Sequence, residues 1–222
     1  MPPDETRPAA DAGTAGASAA REHDRRKTAR VRKTLMHHPF ANKDDVAQRE
    51  GPAHERAFAD GSAGEQWVAR VLAKRLRPGA TALHDRAIAG RRGNIDHIVV
   101  ASSGVWVVDA KRYSGKLCVW HAPSGPGMLT IGGRDKTALI DGLARQVASV
   151  EAVVVELAPR APVHGALCFV DTVLPRGRLE LAGWHVLDAE QLARRINIAT
   201  ARLEPETVRV MGEALAARFP PA

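Results

Sequence analysis

Two apolar, β-branched runs in the middle of the chain constrain its fold more than any other feature. They are Ile95–Ala101 and Val105–Arg112, and only Ser102-Ser103-Gly104 separates them. A short glycine-containing connection between two such runs predicts a β-hairpin. Because Val105–Val108 is apolar at every position, the second run is expected to be a central strand that is covered on both faces.

Helical periodicity on both sides of this hairpin predicts an α/β fold. Apolar residues recur at helical spacing from Ser62 to about Leu76, and again over Lys136–Leu157. The full expected order is α-β-β-β-(β-hairpin)-α-β-β-α, with a central mixed β-sheet flanked by helices. The remaining elements are a strand at Ala82–Ala87, a hairpin of Leu117–Trp120 and Met128–Ile131, strands at Ala166–Leu174 and Trp184–Leu187, a helix at Asp188–Ile196 and a last helix from Glu204-Pro205.

The two ends of the chain are expected to differ from this core. Residues 1–20 are mostly small or polar and cannot bury enough apolar surface to fold. Residues 21–33 form a basic run, which we interpret as a solvated tail or as an electrostatic tether to nucleic acid. The predicted organisation is a disordered basic extension over residues 1–56, a folded domain over 57–200, and a C-terminal helix within 201–222 that packs on the domain.

Composition narrows the classes of function. Lys and Arg outnumber Asp and Glu by 32 to 25, and the net charge of +7 attracts polyanions such as nucleic acids. No stretch reaches the ~20 apolar residues that cross a bilayer, and the first residues lack the apolar region of a secretory signal. The expected location is the cytoplasm, with Cys118 and Cys168 as buried, reduced thiols. Sequence motifs for nucleotide hydrolysis, dinucleotide binding, zinc proteolysis and serine hydrolysis are absent.

Asp109-Ala110-Lys111, at the end of the central run, is the first candidate for chemistry. Side chains alternate along a strand, so Asp109 and Lys111 point to the same face. Asp96 lies in the neighbouring antiparallel run and, with Ala101 roughly opposite Val105, is expected near the level of residues 108–110. The alternative is structural: Asp109 and Lys111 form an ordinary ion pair, and Asp96 caps a loop.

Two carboxylates and a lysine suit the hydrolysis of a phosphodiester. Mg²⁺ takes hard oxygen ligands, usually one or two carboxylates with waters and substrate phosphate. Such an ion polarises the phosphate and lowers the pKa of its bound water. A neighbouring lysine positions the attacking hydroxide and offsets the developing negative charge. The interpretation requires that the carboxylates of Asp96 and Asp109 share one side of the sheet.

Glu65 has two interpretations. It shares the inward face of its predicted helix with Val68 and Leu72, where an acid is unusual unless it meets a partner. Ser62-x-x-Glu65 also matches a capping box, and an acid in the first turn suits the helix dipole. The two roles coexist if Glu65 also holds a metal-bound water.

Three separated segments carry a resemblance to a known family. They are Gly61-x-x-Gly64-Glu65-x-x-Val68, Asn94-Ile95-Asp96-His97-Ile98-Val99-Val100, and Ser103-Gly104-Val105-Trp106-Val107-Val108-Asp109-Ala110-Lys111-Arg112-Tyr113-Ser114-Gly115-Lys116. In this order and context they resemble the nuclease-related (NERD) domain of the PD-(D/E)xK nuclease superfamily. The similarity is strongest over residues 57–120 and continues more loosely to about 196. One departure from the superfamily is Ile95, which stands where a proline would precede the acid.

The resemblance implies a restriction-endonuclease-like core, αβββαβ, with a divalent-metal site. Asp96 and Asp109 would bind Mg²⁺ or Mn²⁺ together with the backbone carbonyl of Ala110. Glu65 would act as the helix-borne acid, in contact with the metal through water, and Lys111 as the catalytic lysine. The candidate nucleic-acid-binding residues are the flanking Arg91, Arg92, Arg112 and Lys116, and Gln146, which matches a glutamine that some superfamily members use near the site.

Two functions stay open at this point. One is Mg²⁺- or Mn²⁺-dependent hydrolysis of nucleic acid, with DNA favoured over RNA. The other is a catalytically inactive module of the same fold that binds nucleic acid or a protein partner. Short domains of the superfamily often act as dimers, so a homodimer is a further expectation from the resemblance.

Overall fold

The computed structural model describes residues 11–38, 40–49, 51–91, 93–121, 127–177 and 179–222, with the backbone alone for residues 53, 54 and 56. These ranges form six helices and eight strands. The helices are α1 (Ala17–His37), α2 (Lys43–Gln48), α3 (Ala53–Arg75), α4 (Ala138–Leu157), α5 (Ala189–Ile198) and α6 (Pro205–Arg218). The strands are β1 (Thr81–Ala87), β2 (Asn94–Ala101), β3 (Gly104–Trp120), β4 (Met128–Ile131), β5 (Arg134–Asp135), β6 (Val163–Val173), β7 (Leu179–Leu181) and β8 (Trp184–Asp188).

A mixed sheet organises these elements. Its main strands lie in the order β1-β2-β3-β6-β8-β7, while β4 pairs with the end of β3 in the hairpin that the sequence predicts. β3–β6 and β6–β8 are parallel pairs, and β1–β2, β2–β3 and β7–β8 are antiparallel. α3, β1 to β3, α4 and β6 form the predicted αβββαβ order of a restriction-endonuclease-like core. The short strand β7 is an addition that the sequence pattern did not indicate.

Each face of the sheet carries its own apolar layer. On one face, α4 and α6 contribute buried residues such as Leu143 and Leu215, and on the other α3 and α5 contribute Leu72 and Leu192. Val105–Val108 of β3 is fully buried, which confirms the prediction of a central strand covered on both sides. Among the described residues, no helix combines the length and the apolar character that crossing a bilayer requires.

The basic run near the N-terminus is folded. The expectation of a disordered extension over residues 1–56 is therefore wrong for residues 17–37, and also for α2 and the first turn of α3. The basic run lies in α1, which packs against α3. Its Ala, Arg, Lys and Glu residues favour a helix, and Glu22 pairs with Arg25 and Arg26 at the i+3 and i+4 spacings. Only Val31 is buried within this helix, so its sequence lacks the apolar stripe that marks a packed helix. Residues 1–10 lie outside the described residues.

α3 begins at Ala53 rather than near Ser62, so the predicted capping box is wrong. Ser62 lies inside the helix, where its hydroxyl donates a hydrogen bond to the Gly16 carbonyl at 3.0 Å. Glu65 is therefore not a first-turn residue of α3. Gly61 and Gly64 lower helix propensity in the middle of this segment, which explains why the sequence suggested a boundary there.

The hairpin of β2 and β3 has a tighter turn than expected. Ala101 pairs with Gly104, not with Val105, so the predicted register is wrong by one residue. Gly104 has a φ of +124°, and a Cβ on it would lie 2.5 Å from the Pro162 carbonyl oxygen, so only glycine fits the turn. A shift of one residue exchanges the faces of a strand. In the observed register, Asp96 therefore shares a face with Asp109 rather than with Ala110.

Candidate functional site

Asp96 and Asp109 lie where β2 and β3 separate. The regular pairing ends at His97 and Val108, and the two acids are the next position on each strand. Beyond that pair, Oδ2 of Asp96 accepts a hydrogen bond from the backbone N–H of Ala110 at 2.8 Å. Both acids are buried, with 7% and 4% of their surface exposed. The apolar strands thus hold two carboxylates at the end of the hairpin.

Lys111 places its ammonium among three oxygens of these strands. Its Nζ donates to Oδ1 of Asp109 at 2.5 Å and to the Ala110 carbonyl at 3.3 Å, and it lies 4.0 Å from Oδ2 of Asp96. One positive charge therefore reaches both carboxylates, which requires them to be on the same side of the sheet. The ion pair between Lys111 and Asp109 that the structural alternative expected is also present.

The electrostatics of the site are set by burial and by the contact between Lys111 and the acids. Burial raises the pKa of Asp96 well above its usual range, and the Lys111 charge only partly offsets this. For Lys111, burial favours the neutral amine, but the charges of Asp109 and Asp96 outweigh it and raise the pKa above its ordinary value. The lysine is therefore charged at neutral pH, whereas burial disfavours the charged form of Asp96.

Glu65 faces the same region from α3. It is 7% exposed, and its Oε2 is buried without a hydrogen-bond partner among the described residues. Burial, followed by the negative charge of Asp85, raises the pKa of Glu65 to about 7, while Lys111 and a hydrogen bond from the Gly16 backbone oppose the rise. Lys111 and Asp109 both act on the Glu65 charge, so the helix acid belongs electrostatically to the strand site.

A cavity of about 990 Å³ opens onto these groups. Glu65, Asp96, Ala110 and Lys111 line it, whereas Asp109 reaches it only through its contact with Lys111. α1 forms another part of the lining through Glu22, Arg25 and Arg26, and the first turns of α3 contribute Phe58 and Asp60. A second groove of about 640 Å³, between α1 and α2, is more apolar and has no acidic residue in its lining.

The candidate nucleic-acid-binding residues occupy different places. Arg112 lines the cavity, but its guanidinium pairs with Asp171 at 2.6 Å and with Asp60 at 3.4 Å. Arg91 and Lys116 are exposed, and neither is among the residues that line the cavity. Arg92 lies outside the described residues. Of the candidate nucleic-acid-binding residues that the structure describes, Arg112 is the one that lines the cavity.

Gln146 lies on α4 and is not among the residues that line the cavity. Its Oε1 is buried, and no described residue hydrogen-bonds to it. A role for Gln146 near the acids stays a prediction.

The chemistry of the donor atoms fits a divalent cation. Three buried acids share one lysine, and an oxygen of Glu65 has no partner, so added positive charge would relieve the site. No group of three or more His, Cys, Asp or Glu side chains suited to a metal occurs in the described parts of the chain. Asp96, Asp109 and the Ala110 carbonyl are the candidate donors, and Mg²⁺ commonly combines one or two carboxylates with water and phosphate.

Sequence reasoning missed the contribution of α1 to this site. Arg25, Arg26 and the Gly16 backbone reach the cavity or Glu65 only because α1 packs on α3. The available signal was the high helix propensity of residues 17–37 and the Glu22 pairs at helical spacing. That signal predicts a helix but does not predict where the helix docks.

Comparison with known proteins assigns a family to this arrangement. A family model described as a nuclease-related domain (NERD) matches residues 60–170, half of the chain, and includes all four candidate catalytic residues. The match excludes α1, α5 and α6. No curated protein and no solved structure matches the chain. The chain therefore belongs to the nuclease-related domain family, which is of the PD-(D/E)xK nuclease kind.

Proposed function

We propose that this protein hydrolyses phosphodiester bonds of DNA with Mg²⁺ or Mn²⁺. The observation that carries the proposal is the convergence of two buried carboxylates on the Lys111 ammonium, which contacts Asp109 and the Ala110 carbonyl and lies 4.0 Å from Asp96. These are the oxygens that a nuclease of this kind would use for its metal. The cytoplasmic location and the homodimer inferred from the sequence stay predictions.

Each residue of the site has a distinct role in this proposal. Asp96, Asp109 and the Ala110 carbonyl would hold the ion, which when bound lowers the pKa of water and polarises the phosphate. Lys111, charged at neutral pH, would orient the attacking oxygen and offset the negative charge that develops on the phosphate. Glu65, with a pKa of about 7, can accept a proton from a water in the cavity near neutral pH.

Cleavage of labelled DNA tests the proposal directly. Asp109→Asn and Lys111→Met each remove one charge of the site, and we expect each to lower the metal-dependent rate by roughly 100-fold or more. Glu151→Gln is the matched control, because it removes one charge from an exposed position on α4. Wild-type rates in both site variants, or no cleavage by the wild type with either metal, would contradict the proposal.

An inactive binding module is the second candidate function. The absence of a three-residue metal cluster in the described ranges, and the ammonium already present among the oxygens, favour it. This alternative predicts salt-sensitive DNA binding that survives both chelation and Asp109→Asn, without any cleavage. Cleavage that requires metal and Asp109 would reject it.

A further inference from the structure

α1 is fixed to the strand that carries Asp96. The backbone N–H and the hydroxyl of Ser18 both donate to the buried carboxylate of Asp85 at 2.6 Å. Asn94, two residues before Asp96, donates to the same carboxylate and to the Ser18 hydroxyl. These contacts set the start of α1 beside the site.

Further along α1, a second contact holds the helix against α3. Arg30 pairs with the buried Glu55 of α3, with 2.9 Å between Nε and Oε2. Arg30 also donates to the Val46 carbonyl at 3.1 Å. The segment between Ser18 and Arg30, which lines the cavity, is therefore held at both ends.

Two arginines of that segment lie on the cavity and share one ion-pair partner, Glu22, whose side chain is 25% exposed. Glu22 accepts from Arg25 at 2.7 Å and from Arg26 at 2.5 Å. The arginine side chains are 73% and 38% exposed, and exposed ion pairs contribute little to stability. A phosphate can therefore replace Glu22 as their partner at small cost, and arginine matches phosphate with two parallel hydrogen bonds.

An aromatic ring lies next to these arginines. Phe58 of α3 is half-buried in the cavity lining, and the guanidinium of Arg26 lies 4.6 Å from the centre of its ring. Stacked aromatic and guanidinium planes are the surfaces on which unpaired bases bind, whereas the bases of a duplex are already stacked on each other. This pairing therefore favours a single strand over a duplex.

We propose that α1 is a substrate-binding element for single-stranded DNA, in which Arg25 and Arg26 bind backbone phosphates and Phe58 stacks on an unpaired base. The inference rests on the proposed function, since it supplies the substrate class for that site. α1 lies outside residues 60–170, the part of the chain that the family model matches.

Binding of a fluorescent single-stranded oligonucleotide to the full chain, measured by anisotropy in EDTA, tests the inference without cleavage. The double variant Arg25→Gln, Arg26→Gln should bind roughly tenfold more weakly, with a salt slope smaller by about 1.4, because two phosphate contacts are lost. The control is Arg209→Gln on α6, where the arginine also pairs with glutamates at helical spacing. It should change neither quantity.

Glu22→Gln should strengthen DNA binding, which a loss of folding would not do. It frees both arginines from their partner and should raise the affinity for single-stranded DNA severalfold. Glu206→Gln, which removes the same charge from a pair with Arg209, corrects for the change in net charge. Equal affinities of these two variants, or wild-type affinity of the double arginine variant, would overturn the inference.

Phe58→Leu tests the preference for a single strand. It should weaken single-strand binding by roughly tenfold, because one stacked base is lost, and it should leave duplex binding unchanged. Tighter binding of a duplex by the wild type, or no effect of Phe58→Leu, would overturn the choice of substrate. If the wild type cleaves DNA with metal but the double arginine variant binds as tightly as the wild type, this inference alone is rejected. If the arginine substitutions weaken binding but the wild type does not cleave, the proposed nuclease activity is rejected.

Discussion

The folded protein disfavours the charged form of the Glu65 carboxyl group. Its pKa of about 7 lies above the 4.5 of the free side chain, because burial and the charge of Asp85 disfavour the carboxylate. Between these two values, the folded protein binds more protons than the unfolded chain. The contribution of Glu65 protonation to the free energy of unfolding is therefore fully present below pH 4.5 and is lost as the pH rises towards 7.

We expect Glu65→Gln to flatten the fall in melting temperature over this pH range in EDTA. The side chain keeps its shape and loses its ionisation, which removes a cost on the order of 3 kcal/mol at neutral pH. Thermal melts at several pH values measure the effect, and Glu151→Gln should melt like the wild type throughout. Identical pH profiles for the wild type and Glu65→Gln would show that burial does not perturb this carboxyl.

Lys111→Met should test the metal site through stability rather than activity. The substitution leaves two buried carboxylates without their cation, which we expect to lower the free energy of unfolding by about 3 kcal/mol in EDTA. Mg²⁺ or Mn²⁺ bound by Asp96 and Asp109 should restore much of this loss, since a ligand of the folded state stabilises it. Denaturant titrations with and without metal make the comparison.

Lys74→Met, an exposed lysine in the last turn of α3, is the control for Lys111→Met. It should change stability little and should show no additional response to metal. A Lys111→Met protein that loses stability but gains nothing from metal would argue that these oxygens hold only the lysine.

At the scale of elements, the docking of α1 on α3 depends on Gly16. Its φ is +71°, and a Cβ there would lie 2.7 Å from both the carbonyl oxygen and the hydroxyl of Ser62. Gly16→Ala should therefore destabilise the protein by about 1–3 kcal/mol, from backbone strain and the forced separation of the two segments. Gly61→Ala in α3 should instead stabilise by about 0.5–1 kcal/mol, because nothing lies within 4 Å of its new Cβ and alanine favours a helix. Urea unfolding measures both changes, and equal effects of the two substitutions would contradict this account of the α1–α3 contact.

The elements also show which parts of the fold can be predicted from the sequence. The β2–β3 hairpin and α4 were predicted because their apolar residues follow a clear period of two or of helical spacing. The register was not predicted, because a turn of two or three residues fits the same pattern. The shorter turn brings Gly104 close to Pro162, a contact between residues far apart in the sequence. α1 was missed because ionic contacts such as Arg30–Glu55, rather than an apolar stripe, attach it to the domain.

The residues of the candidate site also divide into those that local sequence patterns bring together and those that helix packing brings together. Asp96, Asp109 and Lys111 come from adjacent strands, so local pattern and chain direction bring them together. Arg25 and Phe58 reach the cavity through the packing of α1 on α3, which joins two helices at a place that no local spacing specifies.

At the scale of the whole molecule, burial is unequally distributed. α4 buries six residues in the core, including Leu143 and Val150, whereas α1 buries Val31 alone. Local opening costs least where few apolar contacts are lost. We therefore expect α1 to undock from the domain at a lower free energy than global unfolding requires.

Amide hydrogen exchange can measure this undocking and its link to substrate. Amides of α1 should exchange by local opening well before those of α4, and single-stranded DNA should slow exchange in α1 far more than in α4. The reason is that Arg25 and Arg26 can contact DNA bound at the cavity only when α1 is docked. Binding of DNA therefore stabilises the docked state by the free energy of those contacts. Equal protection of α1 and α4 without DNA would mean that polar contacts anchor the helix as firmly as a core element. Slowing of both helices to the same extent by DNA would mean that the strand binds the domain without using α1.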